Sequence, residues 1–221
     1  MSTTPHAPHV IAWRHPRPIG AEGRCIGRTD LAVDRRKAKR LAHRIRQAAR
    51  QHGWPRVVHS SSLQRCAAVG RQLRRWGWRH HIDDGLLEMD FGAWDGLSWP
   101  HIAQAEVDAW CQDFAHHAPG GGESLNTMLQ RVVASLHRLS VQADMLPDPP
   151  AGLADPPERG SPSPVLIVAH AGWMVSARWV AQHPQAPVLP SQWPSSPRYG
   201  ERCTLPAAPL QYRPVEPASR K

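Results

Sequence analysis

Histidine and arginine side chains that could bind and transfer a phosphoryl group follow three separate apolar segments of the chain. Arg14 and His15 come directly after the first segment, Arg65 lies shortly after the second, and His170 ends the third. The planar fork of arginine pairs with phosphate oxygens, and neutral imidazole can attack phosphorus to form a covalent intermediate. These residue types predict a site that holds a phosphate group and passes it to a histidine.

Phosphoryl transfer also needs an acid that protonates the departing oxygen, and Glu88 in the segment LLEMDFGAWDG is the candidate. The two arginines and the second histidine would neutralise the charge on the phosphoryl group, so we expect neither a metal nor a cofactor. Taken alone, each side chain also has a structural interpretation, as a buried or exposed histidine, a surface carboxylate or a helix-surface arginine. The hypothesis therefore depends on their joint arrangement.

Alternating strands and helices would position these groups. The predicted strands span residues 9–14, 56–59, 79–82, 164–169 and 203–205, and the predicted helices span residues 34–52, 63–76, 97–117, 123–141 and 173–182. Such alternation predicts a layered α/β sheet, in which ligands bind beyond the carboxyl ends of the strands. Free N–H groups at helix N-termini also favour an anion there, and Ser60–Ser62 are the expected N-cap residues of the second helix.

The composition is that of an ordinary globular domain. The chain has 221 residues, of which 41% are hydrophobic, and no apolar run approaches the ~20 residues needed to cross a bilayer. The first residues lack the pattern of a signal peptide. The four cysteines (Cys25, Cys66, Cys111 and Cys203) are widely scattered, which indicates neither a disulfide framework nor a zinc site and predicts a cytoplasmic protein. A reactive thiol is an open alternative.

The net charge of +9 allows two interpretations: a basic surface that binds nucleic acid, or one that attracts a small anionic substrate. Helix 34–52 concentrates this charge on one face, which is either a solvated face or a binding surface. The basic residues of that face are Arg35, Arg36, Lys37, Lys39, Arg40, Arg44 and Arg46. The pairs His80-His81 and His116-His117 have no acidic or cysteine partner at metal-ligand spacing, so no metal site is predicted.

Five sequence blocks resemble those of the histidine phosphatase (phosphoglycerate mutase-like) superfamily and occur in that family's order. They are RHP at 14–16, HSSSLQRCAAVGRQL at 59–73, LLEMDFGAWDG at 86–96, PGGGESLNTMLQRV at 119–132 and VLIVAHAGWM at 165–174. The stretches that begin at Arg14 and Leu86 are most similar to the α-ribazole phosphatase branch, which acts late in cobalamin synthesis. The resemblance implies a three-layer α/β/α sandwich with a mostly parallel central sheet and a helical lid insertion.

Carried over position by position, the resemblance assigns a role to each candidate residue. His15 would become phosphorylated, while Arg14, Arg65 and His170 would bind the transferring phosphoryl group. Glu88 would protonate the leaving group and then activate the hydrolytic water. A sixth residue, Arg28 in the segment GRTD, is a further expected ligand of the phosphate or the substrate.

The resemblance also implies one histidine-phosphatase domain over residues 1–221. Its lid would span residues 95–124, where Trp94, Trp99 and Trp110 are candidates either for an aromatic substrate pocket or for the core. The Pro-rich segment 144–164 is expected to be a surface loop, and residues 206–221 form a Pro-rich tail.

The sequence departs from the superfamily at Pro16 and Pro18, where most members have a glycine and a threonine. The α-ribazole-like branch tolerates this proline form. The leading prediction is therefore a metal-independent phosphomonoesterase that forms a phosphohistidine and hydrolyses α-ribazole 5′-phosphate or the related cobalamin 5′-phosphate.

Several alternatives are open. Within the same family, the chain could be a broad-specificity phosphatase or a phosphoglycerate mutase, although the short tail after Leu205 argues against a mutase. From other classes, it could bind nucleic acid through the basic helix or sense a phosphorylated ligand with a silent site. The expected partner is a small phosphorylated substrate, with no membrane, and nucleic acid is the weaker alternative. The pattern does not specify an oligomeric state.

Overall fold

The computed structural model describes residues 9–144, 163–206, 210, 212 and 213, and within them five strands form one sheet. The strands are β1 (His9–Arg14), β2 (Val57–Ser60), β3 (Arg79–Ile82), β4 (Val165–Ala169) and β5 (Arg202–Pro206), in the order β3-β2-β4-β1-β5. The first four are parallel, and β5 runs antiparallel to β1. Each predicted strand is confirmed, with its ends displaced by at most one residue.

Five α-helices accompany the sheet: α1 (Arg35–Gln51), α2 (Gln64–Arg74), α3 (Gln104–Gln112), α4 (Leu125–Asp144) and α5 (Ala171–Gln182). The prediction of one helix over 97–117 was too long. Residues Trp99–His101 form a 3₁₀ turn that contains Pro100, and Ile102 and Ala103 are extended before α3 begins. Proline lacks an N–H and fits only the first turn of a helix, so Pro100 argues against a helix that continues from Leu97.

The helices cover both faces of the sheet, because successive strand residues point to opposite sides. On one side, Ile11 and Trp13 of β1 pack with Val58 against α1 and α2. On the other side, Val10 and Ala12 pack against α4 and α5. The result is the expected three-layer α/β/α sandwich with a mostly parallel central sheet, and the insertion that carries α3 lies between β3 and α4.

The expected N-cap role of Ser60–Ser62 is wrong. Helix α2 begins after Leu63, whose side chain makes no capping hydrogen bond, and Asp30 takes that role from a distant loop by accepting from the Gln64 N–H at 2.6 Å. The first two serines are engaged elsewhere: Ser60 Oγ contacts His80 Nε2 and Ser61 Oγ contacts His170 Nε2. Local sequence does not reveal that Asp30 packs against this helix end.

Two predicted segments lie mainly outside the described residues. The loop predicted at 144–164 is described only at its ends, and the tail predicted at 206–221 only at a few positions. In that tail, the Tyr212 hydroxyl donates to the Asn126 side-chain oxygen of α4 at 2.7 Å. No helix in the described part of the chain combines the length and apolar character needed to cross a membrane.

Candidate active site

His15 lies where β1 ends, beside the end of β4. Its main-chain N–H donates to the Ala169 carbonyl, and its side chain is only 4% exposed. Burial lowers the pKa of His15 to about 3, aided by the positive charges of Arg65 and Arg14, so the imidazole is neutral. Its Nδ1 lies 2.8 Å from the Pro16 carbonyl, which only accepts, so Nδ1 carries the proton and Nε2 keeps a free lone pair.

Arg14 is held beside His15 by two contacts from the segment before β5. Its Nη1 donates to the Pro197 carbonyl at 2.7 Å, and its Cζ lies 3.9 Å from the centroid of the Tyr199 ring. The same ring lies 5.6 Å from that of His15. The Arg14 Nε is buried and has no hydrogen-bond partner among the described residues. A buried donor without a partner is costly, so this guanidinium is poised to receive an anionic oxygen.

Arg65 is anchored by three of its donors in the first turn of α2. Its Nη1 and Nη2 donate to the carbonyls of Thr29 and Gly27, and its Nε donates to His170 Nδ1 at 3.1 Å. The side chain is 1% exposed. A guanidinium has five N–H donors, so one N–H on each terminal nitrogen is left for an anion. The arginine is thus preorganised before any ligand arrives.

His170 follows β4 and packs against His15, with 5.0 Å between their ring centroids. It is wholly buried, and burial lowers its pKa well below the usual value, with the neighbouring His15 and the positive charge of Arg65 acting in the same direction. Since Nδ1 accepts from Arg65, the neutral ring donates from Nε2 to Ser61 Oγ at 2.7 Å. Both ring nitrogens are engaged, so direct binding of a phosphoryl group by His170 requires one of these contacts to open.

Glu88 reaches the N-terminus of α5. Its two carboxylate oxygens accept from the main-chain N–H groups of Met89 at 3.1 Å and Gly172 at 3.0 Å. A Cβ at Gly172 would lie 2.3 Å from Glu88 Oε1, so only glycine allows this close approach. Glu88 is 9% exposed and lines the same cavity as His15.

Arg28 lies behind Glu88 and does not line this cavity. Its Nε donates to the Glu88 main-chain carbonyl at 3.0 Å, and its Nη2 lies 3.9 Å from Glu123 Oε2. The loop that carries it is clamped by Asp95, which accepts from the main-chain N–H groups of Gly27, Arg28 and Thr29. The structure therefore places Arg28 where it positions the glutamate segment, and its expected contact with phosphate stays a prediction.

A cavity of about 500 Å³ opens between His15, Glu88 and the insertion after β3. Arg14, Arg65, His15 and Glu88 are among its polar lining residues. Its remaining wall is mostly aromatic and apolar, and the aromatic members are Phe91, Trp99, Trp110, Phe114, Trp193 and Tyr199. Of the three tryptophans expected in an aromatic pocket, Trp99 and Trp110 line the cavity, whereas Trp94 is buried in a small core with Cys25 and Ile102.

Sequence reasoning missed Tyr199, Trp193 and the Asp95 clamp. Trp193 and Tyr199 lie in a Pro- and Ser-rich stretch without periodicity, so nothing local indicated that they line the site. Asp95 was visible in GAWDG, but its partners are more than sixty positions away. Within the described residues, no group of three or more His, Cys, Asp or Glu side chains is placed to hold a metal ion.

The arrangement can bind an anion and transfer it. A neutral histidine with a free nitrogen, two arginines with unused donors and a carboxylate share one cavity. Such a set suits the attack of a histidine on a phosphate ester. That reaction mainly requires the reacting atoms to be positioned and the charge on the phosphoryl oxygens to be neutralised.

Comparisons with known proteins agree with this chemistry. The sequence profile of the histidine phosphatase superfamily (branch 1) matches residues 10–186. The bifunctional protein Rv2228c of Mycobacterium tuberculosis is 40% identical over 97 residues, which cover 42% of this chain and 26% of that protein. Glucosyl-3-phosphoglycerate phosphatase of Mycolicibacterium vanbaalenii is 32% identical over 122 residues, covering 53% and 49%. The chain thus spans about a quarter to a half of the length of these relatives.

Solved structures show the same fold. The α-ribazole phosphatase of Shigella flexneri superposes with a TM-score of 0.65 over 89% of each chain, at 22% sequence identity. At that identity the likeness concerns the fold.

Proposed function

The chain belongs to the histidine phosphatase superfamily (branch 1), and we propose that it hydrolyses phosphate monoesters through a phosphohistidine at His15. The observation that carries this proposal is the state of His15: a neutral ring whose Nδ1–H is held by the Pro16 carbonyl, with Nε2 free beside Arg14 and Arg65. Its Nε2 needs no deprotonation before it attacks phosphorus.

In the first half of the reaction, Nε2 of His15 forms a bond to phosphorus while the bond from phosphorus to the ester oxygen breaks. The unused N–H groups of Arg14 and Arg65 bind the equatorial oxygens and neutralise their charge. Glu88, in its protonated form, gives its proton to the departing alkoxide. The products of this step are a free alcohol, a phosphorylated His15 and an ionised Glu88.

In the second half, water attacks the phosphohistidine. The Glu88 carboxylate takes one proton from that water while its oxygen bonds to phosphorus, and the bond between phosphorus and Nε2 breaks. Inorganic phosphate leaves, and His15 and Glu88 return to their starting forms. The Gly172 and Met89 N–H groups position the Glu88 side chain, to which they donate in the structure.

The proposal is tested by hydrolysis of p-nitrophenyl phosphate in the presence of a chelator. We expect turnover by the intact chain and loss of at least about 10³-fold in kcat for His15→Ala, because the nucleophile is removed. His101→Ala, an exposed histidine of the 3₁₀ turn, is the matched control and should retain activity. Undiminished turnover by His15→Ala would overturn the mechanism.

For the substrate, we propose an ester whose alcohol part carries a flat aromatic group, with α-ribazole 5′-phosphate or the related cobalamin 5′-phosphate as the leading candidates. The support is the wall of the cavity, which is aromatic and apolar away from its phosphate end, apart from Arg24 and Ser196. The aromatic ring of such a substrate would stack on this wall at little desolvation cost.

A second candidate comes from the 32% identity to glucosyl-3-phosphoglycerate phosphatase, and Arg24 in the cavity wall could pair with a glycerate carboxylate. A panel of α-ribazole 5′-phosphate, glucosyl-3-phosphoglycerate and 3-phosphoglycerate separates these proposals by kcat/KM.

Measuring whether the phosphoryl group is transferred to water or to a second hydroxyl separates a phosphatase from a mutase. The four unpaired cysteines support a cytoplasmic setting as part of the proposal.

A further inference from the structure

A second cleft, similar in size to the catalytic cavity, lies at the other end of the sheet. It has a volume of about 570 Å³ and shares no lining residue with the catalytic cavity. Gly53–Arg56 lead directly into β2, and Trp76–Trp78 lead into β3, so the cleft sits where parallel strands begin. We name it the amino-edge cleft, lined by Arg46, Ala49, Arg50, Gly53, Trp54, Arg56, Trp76 and Trp78.

The amino-edge cleft is strongly positive. Three of its eight lining residues are arginines, and none is a carboxylate. Arg46 and Arg50 lie one turn apart on α1, while Arg56 faces the cleft from the segment before β2. Among the described residues, none of these three side chains forms an ion pair or a side-chain hydrogen bond with an acid. Grouped guanidiniums without counter-charges repel one another, and a polyanion would relieve that repulsion.

The cleft is also aromatic. Trp54 and Trp76 are half-buried, and Trp78 forms part of the lining although it is only 4% exposed. The Arg46 guanidinium carbon lies 5.4 Å from the Trp76 ring centroid, and Arg202 of β5 stands 5.9 Å from Trp54. The Trp54 ring also stacks on His52 and the Trp76 ring lies against His43, with 4.6 Å and 4.4 Å between ring centroids. A ligand ring would therefore stack on the indole surface that these histidines leave uncovered, next to the anion-binding guanidinium groups.

We propose that the amino-edge cleft binds a free nucleotide with more than one phosphate group, the base against the tryptophans and the phosphates against Arg46, Arg50 and Arg56. The volume lies within the range of small-ligand sites. Three separate guanidiniums match the several charges of a nucleoside diphosphate better than the single phosphate of a monoester. The site is independent of the phosphatase chemistry, because no catalytic candidate borders it.

Binding is measured by calorimetry on the intact chain with ADP, adenosine and inorganic pyrophosphate, in chelator. We expect ADP to bind at least about tenfold more tightly than either fragment, because the fragments make only the aromatic or only the charged contacts. Raising the salt concentration should weaken ADP binding and leave adenosine nearly unchanged. Equal affinity for ADP and pyrophosphate would overturn the proposal, since no base would then be recognised.

The triple variant R46Q/R50Q/R56Q should lose at least about tenfold in ADP affinity, since three charge-assisted contacts are removed. The matched control R36Q/K39Q/R40Q removes three exposed cations from the same helix outside the cleft and should keep it. Both variants should retain p-nitrophenyl phosphate turnover. Equal losses of ADP affinity in the two triple variants would overturn the proposal, because general charge attraction would then explain the binding.

The location of the ligand is read by photolabelling with 8-azido-ADP, followed by trypsin and mass spectrometry. We expect label on the peptides Gln51–Arg56 or Trp76–Arg79, and its loss when unlabelled ADP competes. Label confined to peptides of the catalytic cavity would overturn the proposal.

A third experiment replaces ADP with hexadeoxyadenylate. If the oligonucleotide bound more tightly than ADP, and if R46Q/R50Q/R56Q abolished that binding, the cleft would be a site for single-stranded nucleic acid. That result would also overturn the proposal.

Discussion

At the residue scale, the Pro16 carbonyl and two guanidinium groups act on one imidazole from different sides. The carbonyl fixes the proton on Nδ1 of His15, and burial with the charges of Arg65 and Arg14 keeps a second proton away. Pro16 contributes a main-chain carbonyl, which any residue at that position would supply, and Pro18 lines the cavity. The proposed nucleophile therefore needs no general base.

The first prediction concerns the ionisation of His15. Because its pKa is lowered to about 3, its ring should stay neutral from pH 8 down to pH 5, and its Hε1 signal should not move over that range. The measurement is an NMR titration of the histidine signals, with His15→Asn used to assign the resonance. A midpoint near 6.5 for this signal would contradict the buried geometry.

The second prediction concerns Tyr199, whose ring packs on the Arg14 guanidinium at 3.9 Å. Tyr199→Phe keeps that ring and should leave kcat/KM for p-nitrophenyl phosphate within about twofold. Tyr199→Ala removes a cation–π contact at a partly desolvated site and should lower kcat/KM by roughly tenfold. Equal effects of the two variants would mean that the hydroxyl, and not the ring, matters.

At the element scale, the N-terminus of α5 holds the proposed acid. The third prediction is that Gly172→Ala lowers kcat by about 10²-fold or more, since the new methyl group would displace the Glu88 carboxylate. Lower stability should not explain the loss of kcat, and the melting temperature should not fall, because alanine has a higher helix propensity than glycine. The measurement is kcat for Gly172→Ala, Glu88→Ala and the double variant. If the two losses in activation free energy add in the double variant, Gly172 does not act through Glu88.

The sequence predicted the strands and the convergence of Arg14, His15, Arg65 and His170 because both depend on local pattern and on one rule of topology. Apolar runs identify strands, and parallel strands bring their carboxyl ends to one edge. The helix cap supplied by Asp30 and the ring of Tyr199 depend on distant loops that pack in three dimensions. Such long-range contacts leave no periodic pattern in the sequence, so they could not be predicted from it.

At the scale of the whole molecule, buried histidines couple stability to pH. Burial lowers the pKa of His15 to about 3 and that of His59 to about 4. Below the ordinary value of 6.5, the unfolded chain takes up protons that the folded chain does not bind. Their contribution to stability is therefore complete above pH 6.5 and is lost as the pH falls toward these lowered values.

The fourth prediction follows from that coupling. The free energy of unfolding should fall between pH 7 and pH 5 by about 2 kcal/mol for each such histidine. His59→Asn, which lies outside the catalytic cavity, should reduce the fall by about that amount. Urea unfolding followed by tryptophan fluorescence at the two pH values measures both, and an unchanged pH dependence in the variant would count against a buried neutral His59.

The phosphohistidine itself is the central claim, and rapid-quench trapping with a ³²P-labelled phosphate ester tests it most directly. Mixing enzyme and substrate for milliseconds and quenching in alkali should leave label on the protein that survives base, is released by acid, and maps to the tryptic peptide containing His15. With p-nitrophenyl [³²P]phosphate as the ester, His15→Asn should give no label. Glu88→Gln should accumulate label, because p-nitrophenolate leaves without an acid whereas hydrolysis of the intermediate slows without the base. Full turnover with no protein-bound phosphate on His15 would contradict the account.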